Sequence, residues 1–137
     1  MINQTQTTSF KVEVYEGVHD LLTDTLKIAL YTANADLGAA TTIYTATEEV
    51  VGTGYTAGGK VLTGATVQSL DTTAYVSFNN STWNPAAFTT RGALIYNASK
   101  GNKAIAVLNF GNDKTCTTTF TVTMPANTNT TALIRYI

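Results

Sequence analysis

Residues Gly54 to Lys60 read G-x-x-x-x-G-K, the spacing with which a phosphate-cradling loop presents backbone amides and a lysine to a nucleotide. Such a loop follows a buried strand, opens a helix, and carries Ser or Thr after the lysine to hold Mg²⁺. Here Val61 follows Lys60 and has no metal-ligating atom. The preceding TATEEVV is too polar for a central parallel strand. The following VLTGATVQSL reads as a strand, with Val61, Ala65 and Val67 on one side and Thr66 and Gln68 on the other; its β-branched residues and Gly64 make a poor helix. Without a helix N-terminus no row of amides faces a phosphate. The stretch reads instead as a glycine-rich turn in which Gly58-Gly59 supplies positive φ before a strand.

The other chemistry-bearing side chains are sparse. His19 is the only histidine, so a Ser/His/Asp triad would depend on it alone, and no nucleophile elbow accompanies it. Beside Asp20 at a predicted helix end, it reads as a surface or capping residue. One His and one Cys nearly a hundred residues apart, with no D-x-D-x-D loop, do not make a metal site. Cys116 reads as a small core residue. The nine carboxylates, among them Asp20, Asp24, Asp36, Asp71, Asp113 and the pair Glu48-Glu49, fall mostly in predicted turns, where they accept local hydrogen bonds rather than facing each other across a cleft. The expectation is a protein that is not an enzyme and carries no cofactor and no metal.

Aromatic residues and arginine offer a different chemistry, that of contact. Tyr55, Trp83, Phe88 and Arg91 are the candidate interface residues, because Trp, Tyr and Arg dominate interface hot spots. Trp83 has a second reading, as a plug for one end of a β-sandwich. It opens NSTWNPAAFTT, which reads as a long non-strand connection leading to Arg91.

The elements that must position these residues are mainly strands. Cys116–Met124 reads as one strand, with threonines on one face and Phe120, Val122 and Met124 on the other. Residues 73–79 alternate likewise, Ala74, Val76 and Phe78 against Thr73, Tyr75 and Ser77. Gly92–Asn97 and Ala104–Phe110 are more uniformly apolar, as central strands are, and the polar ASKGNK between them predicts an antiparallel hairpin. Leu26–Thr32 and the last seven residues, TALIRYI, are further strands. Phe10, Val14, Val18 and Leu22 recur every fourth residue, predicting one amphipathic helix over 8–22, capped by Thr8 or Ser9. The fold class is therefore mainly β: an antiparallel sandwich or small barrel of about seven strands with an N-terminal helix packed on it, one domain over 1–137.

Composition narrows the partners. Charged residues are 12% of the chain against 44% hydrophobic, and threonine is about a fifth. Such a surface of hydroxyls and amides suits exposed strands and protein–protein contact, where charge is depleted. A net charge of −1 without a basic stripe argues against nucleic acid. No apolar run approaches the ~18 residues of a membrane span. The polar MINQTQTTS lacks the apolar region of a signal peptide. A single cysteine permits no intrachain disulfide.

Three segments then carry a likeness: LKIALYT at 26–32, YTATEEVVGTGYTAGGKVLT at 44–63, and FTTRGALIYNASKGNKAIAVLNFGNDK at 88–114. With SFKVEVYEGVHDLLTDTLKIALY at the N-terminus, the chain resembles, nearly end to end, a family of small proteins encoded by tailed bacteriophages. The N-terminus departs from the family in its β-branched Val12 and Val14, which weakens the helix there. The resemblance implies a structural component of the virion, assembled in the bacterial host cytoplasm, with no catalytic residues to carry over. A capsid decoration or cement protein is one such use. Its partners would be the major capsid protein or other virion proteins, and it would form a homo-oligomer, a trimer where capsid lattices offer threefold sites. A minor tail, adaptor or fibre-associated protein is the alternative, with host-surface carbohydrate recognised through exposed Trp83 and tyrosines as a further role.

Overall fold

A computed structural model describes residues 1–136. Ten mostly short strands and one helix follow in order: β1 (Thr5–Gln6), α1 (Thr8–Tyr15), β2 (Leu26–Tyr31), β3 (Lys60–Val61), β4 (Thr66–Leu70), β5 (Thr73–Ser77), β6 (Ser81–Trp83), β7 (Phe88–Asn97), β8 (Lys103–Cys116), β9 (Phe120–Val122) and β10 (Ile134–Tyr136). They make a five-stranded sheet ordered β1-β8-β7-β2-β3, a three-stranded sheet β10-β5-β4 and a two-stranded sheet β6-β9, all antiparallel. The arrangement is sandwich-like rather than a closed barrel, because the sheets end in free edges.

The uniformly apolar central strands have a structural reason: both faces of the large sheet are buried. On one face Leu26, Ile28 and Leu30 of β2 and Ala93 and Ile95 of β7 meet Val76, Trp83, Val122 and Ile134 from the smaller sheets, with Phe78 just after β5. On the other face Ala29, Tyr31, Leu94, Tyr96 and Val107 pack under Ile2, Ala35 and Leu37. Fully burying side chains such as Ile28 and Leu94 contributes about 1.5–3 kcal/mol each relative to exposure. The β7–β8 hairpin forms as expected, turned by Gly101 at φ +66.

Several elements differ from expectation. The helix ends at Tyr15 rather than near residue 22, because Gly17 adopts φ +71 and the β-branched Val12 and Val14 favour helix weakly. Its cap is Thr7, whose hydroxyl oxygen accepts the Phe10 N–H at 3.2 Å. Only Phe10 of α1 is buried; Val14 and Leu22, expected on the packed stripe, are exposed. Cys116–Met124 is not one strand. Cys116 ends β8, and β9 begins at Phe120 to pair with β6, Trp83 opposite Phe120. The supposed connection NSTWNPAAFTT contains β6 and the start of β7. In β5, Val76 lies in the core as expected, but Ala74 is exposed while Thr73, Tyr75 and Ser77 are buried. The C-terminal strand is Ile134–Tyr136; Ile137 lies outside the described residues.

Candidate functional site

The glycine-rich turn leads into β3, not into a helix. An anion does sit under it, and that anion is the chain's own. Glu49 is 7% exposed. Its Oε1 accepts the Tyr44 hydroxyl at 2.6 Å, and its Oε2 accepts both the Tyr55 hydroxyl at 2.5 Å and the Gly58 N–H at 2.8 Å. Tyr96 donates to the Gly58 carbonyl at 2.5 Å and stacks on Tyr44 with ring centroids 4.8 Å apart. The Tyr55 hydroxyl also accepts the Leu30 N–H at 2.9 Å. One carboxylate thus ties the turn to β2 and, through Tyr96, to β7. Among the described residues no cation pairs with it, and three hydrogen-bond donors surround it instead.

The local sequence builds this cage through the glycines. Gly54 and Gly59 hold φ +83 and +81, and a Cβ at either would lie under 2 Å from a carbonyl oxygen, that of Pro85 or of Ile28. The chain therefore passes close to two neighbouring backbones, which brings the Gly58 amide to Glu49. Lys60 leaves the turn over the Trp83 ring, 5.7 Å from its centroid, and its ammonium donates to the Thr82 carbonyl.

Burial pushes the Tyr31 and Tyr55 hydroxyls well above the usual phenol range, with the Glu49 carboxylate reinforcing it; burial raises Tyr44 and Tyr96 as well. The folded protein holds these protons more tightly than the unfolded chain. The stability they supply is full below the ordinary phenol pKa of about 10 and is lost as pH rises above it. In an alkaline titration followed by tyrosinate absorbance, these four of the seven tyrosines are expected to ionise only with unfolding. Smooth titration of all seven with the fold intact would contradict the cage.

A second polar cluster surrounds His19, which is not the surface residue the sequence implied. Its side chain is fully buried, with Nε2 2.9 Å from Glu13 Oε1. The Asn97 amide donates to His19 Nδ1 at 3.0 Å and to Asp24 Oδ2 at 2.8 Å. Nδ1 therefore accepts and Nε2–H donates to Glu13. Asn97, then the Asp20 N–H, holds the Asp24 carboxyl below its usual range. The cluster fastens the 16–25 loop to the end of β7. Ser99 adjoins it, donating its N–H to Asn97 Oδ1 at 3.0 Å while its hydroxyl oxygen accepts the Thr25 N–H at 2.8 Å, and among the described residues no three His, Cys, Asp or Glu side chains gather as a metal site.

The four predicted contact residues separate. Trp83 and Phe88 are 4% and 7% exposed; Trp83 packs near Tyr55 and Phe120, and Phe88 against the same two rings. Both are core residues, so neither offers a docking surface and Trp83 offers no platform for a sugar. Tyr55 is half-buried and spends its hydroxyl on Glu49. Arg91 is also half-buried, and its Nε pairs with Asp113 at 2.9 Å. Cys116 is half-buried, its thiol 3.5 Å from the Phe88 carbonyl. Sequence reasoning named the Glu48-Glu49 pair and Tyr55 separately but did not bring Glu49 together with Tyr44, Tyr55 and Gly58. The available signal was the Glu48-Glu49 pair between apolar Val50 and the tyrosine-bearing segments.

Scans of protein-family models, curated proteins and solved structures each find no match to this chain.

Proposed function

We propose that the protein is a structural component of a tailed-phage virion, most specifically a capsid decoration protein that stabilises the head by protein–protein contacts, working as a homo-oligomer, a trimer on threefold lattice sites. The observation that carries this reading is the make-up of the surface. β4 exposes all five residues Thr66–Leu70, including Val67 and Leu70, and has no charged side chain. Sheet edges on free monomers are ordinarily guarded by charge, proline or cover, whereas the core of an interface is depleted of charge. The resemblance over 26–32, 44–63 and 88–114 supports the same reading. So does the pair of clusters described above, in which polar side chains fasten turns to strands instead of facing a cleft. Non-enzymatic function is part of the proposal.

Quantitative mass spectrometry of purified virions, relative to the major capsid protein, tests it. Decoration requires copies in the hundreds, as a shell lattice repeats its sites. About a dozen or fewer would place the protein on the tail axis, as a tail, adaptor or fibre-associated component. Absence from the particle would discard both.

A further inference from the structure

β1 forms one edge of the five-stranded sheet and β10 one edge of the three-stranded sheet, and the two edges face each other across an open seam. In an antiparallel ladder alternate residues aim both backbone groups at the partner. The Thr7 N–H bonds the Ile105 carbonyl, so Thr7 and Thr5 face β8 and Gln6 turns its N–H and C=O to the seam. Across the gap the Arg135 carbonyl faces away from β5, and the Gln6 side-chain amide reaches it at 3.3 Å. That bond, with the Tyr136 hydroxyl bonded to the Tyr15 hydroxyl beside it, stands where a ladder of backbone bonds would run. Below it lies a groove of about 450 Å³ with Leu108, Phe110, Met124 and Leu133 on its walls, continuous through Thr5, Gln6 and Arg135 with a second opening of about 440 Å³ beside Tyr15 and Tyr136. Among the described residues, Lys11 and Arg135 are the charged side chains of the two openings, and no Asp or Glu lines either.

We propose that this seam is an acceptor slot for an extended segment of a different protein, one that alternates apolar residues with carboxylates. The segment adds as a strand beside Gln6 and Arg135, displacing the Gln6 side chain. Its apolar residues enter the groove, and its carboxylates meet Lys11 and Arg135. Main-chain bonds then supply affinity and the groove supplies specificity. The segment does not come from a second copy. Among the described strands Asp113 is the only acidic residue, and it is held by Arg91. The slot uses residues other than those of β4 and stands whether or not the protein decorates a capsid.

A blocked peptide of alternating valine and glutamate, titrated into the isotope-labelled protein and followed by amide chemical shifts, provides the test. Saturable shifts at Gln6 and Arg135 are expected, with slowed hydrogen exchange there. A peptide with lysine for glutamate is expected to bind at least roughly tenfold more weakly, as is the acidic peptide to the Lys11→Glu, Arg135→Glu double variant. Both residues are exposed, but Arg135 Nη1 also donates to the Thr130 carbonyl at 2.5 Å, so circular dichroism of the variant checks that its fold is kept. Absence of saturable shifts, shifts confined to β4, or equal affinity for the two peptides would overturn the proposal. Concentration-dependent shifts at the same amides without peptide would assign the seam to a second copy and overturn it equally.

Discussion

Glu49→Ala is expected to destabilise the protein by about 4 kcal/mol, because it leaves three half-buried donors without their acceptor and opens a cavity at once. Three donors converge on this carboxylate, the hydroxyls of Tyr44 and Tyr55 and the Gly58 N–H. A hydrogen bond to a charged group is worth about 1.5–3 kcal/mol, and contributions within one network do not add. The net loss is therefore below the sum of three. For a chain of this size it corresponds to a fall in Tm of about 12–16 °C. Glu49→Gln retains an acceptor for part of the cage but turns an NH₂ towards a donor, and an intermediate loss is expected. Tyr55→Phe alone removes one partner, and a double-mutant cycle with Glu49→Gln is expected to give a coupling of about 1–3 kcal/mol. Urea denaturation followed by circular dichroism measures all of these. Glu49→Ala within about 1 kcal/mol of the parent would mean that the cage does not hold the turn.

Gly59→Ala is expected to be at least as severe, for a different reason. The added Cβ would lie 1.9 Å from the Ile28 carbonyl oxygen and 2.8 Å from Ala29 Cα, at φ +81. Both obstacles are backbone of β2, whose side chains are buried on both faces of the large sheet, so neither can retreat. The Ile28–Lys60 and Lys27–Val61 pairs must open instead, and the loss is expected to be about 4 kcal/mol or more. Gly58→Ala is the control. It has φ +95 with its nearest neighbour, the Tyr96 hydroxyl, at 3.5 Å, so it meets only the backbone penalty of about 1–2 kcal/mol. Equal midpoints for the two variants in thermal denaturation would show that the close approach of turn and strand is not what selects glycine at 59.

Much of the frame was legible in the sequence because it depends on local pattern. The apolar runs at 26–32, 92–97 and 104–110 place β2, β7 and β8, and the polar ASKGNK places their hairpin. Gly58-Gly59 marked a turn before a strand, and both residues do take positive φ. Where local pattern was ambiguous, tertiary pairing decided. The threonine alternation after Cys116 suits a strand anywhere from 116 to 124. β9 begins only at Phe120, because Phe120–Val122 is the part that finds β6 as a partner. The fourfold apolar spacing of 10–22 suited a helix, yet Gly17 and two valines end it at Tyr15, and a buried histidine occupies the loop instead.

The candidate site was the least legible part. In sequence, a G-x-x-x-x-G-K stretch, a glutamate pair and scattered tyrosines are separate facts, and the types alone allow a phosphate or none. By itself the sequence determined that the protein is mainly β, poor in charge, without a cysteine pair or a cluster of metal-binding residues along the chain, because those properties follow from composition and short-range period. Only the tertiary structure decided that Glu49 is the anion beneath the glycine turn, that Trp83 and Phe88 are core and that His19 is buried. Burial and hydrogen-bond partnership are set by residues as far apart as 19 and 97, or 30 and 55. No local pattern encodes which donors will meet which acceptor once the sheets close.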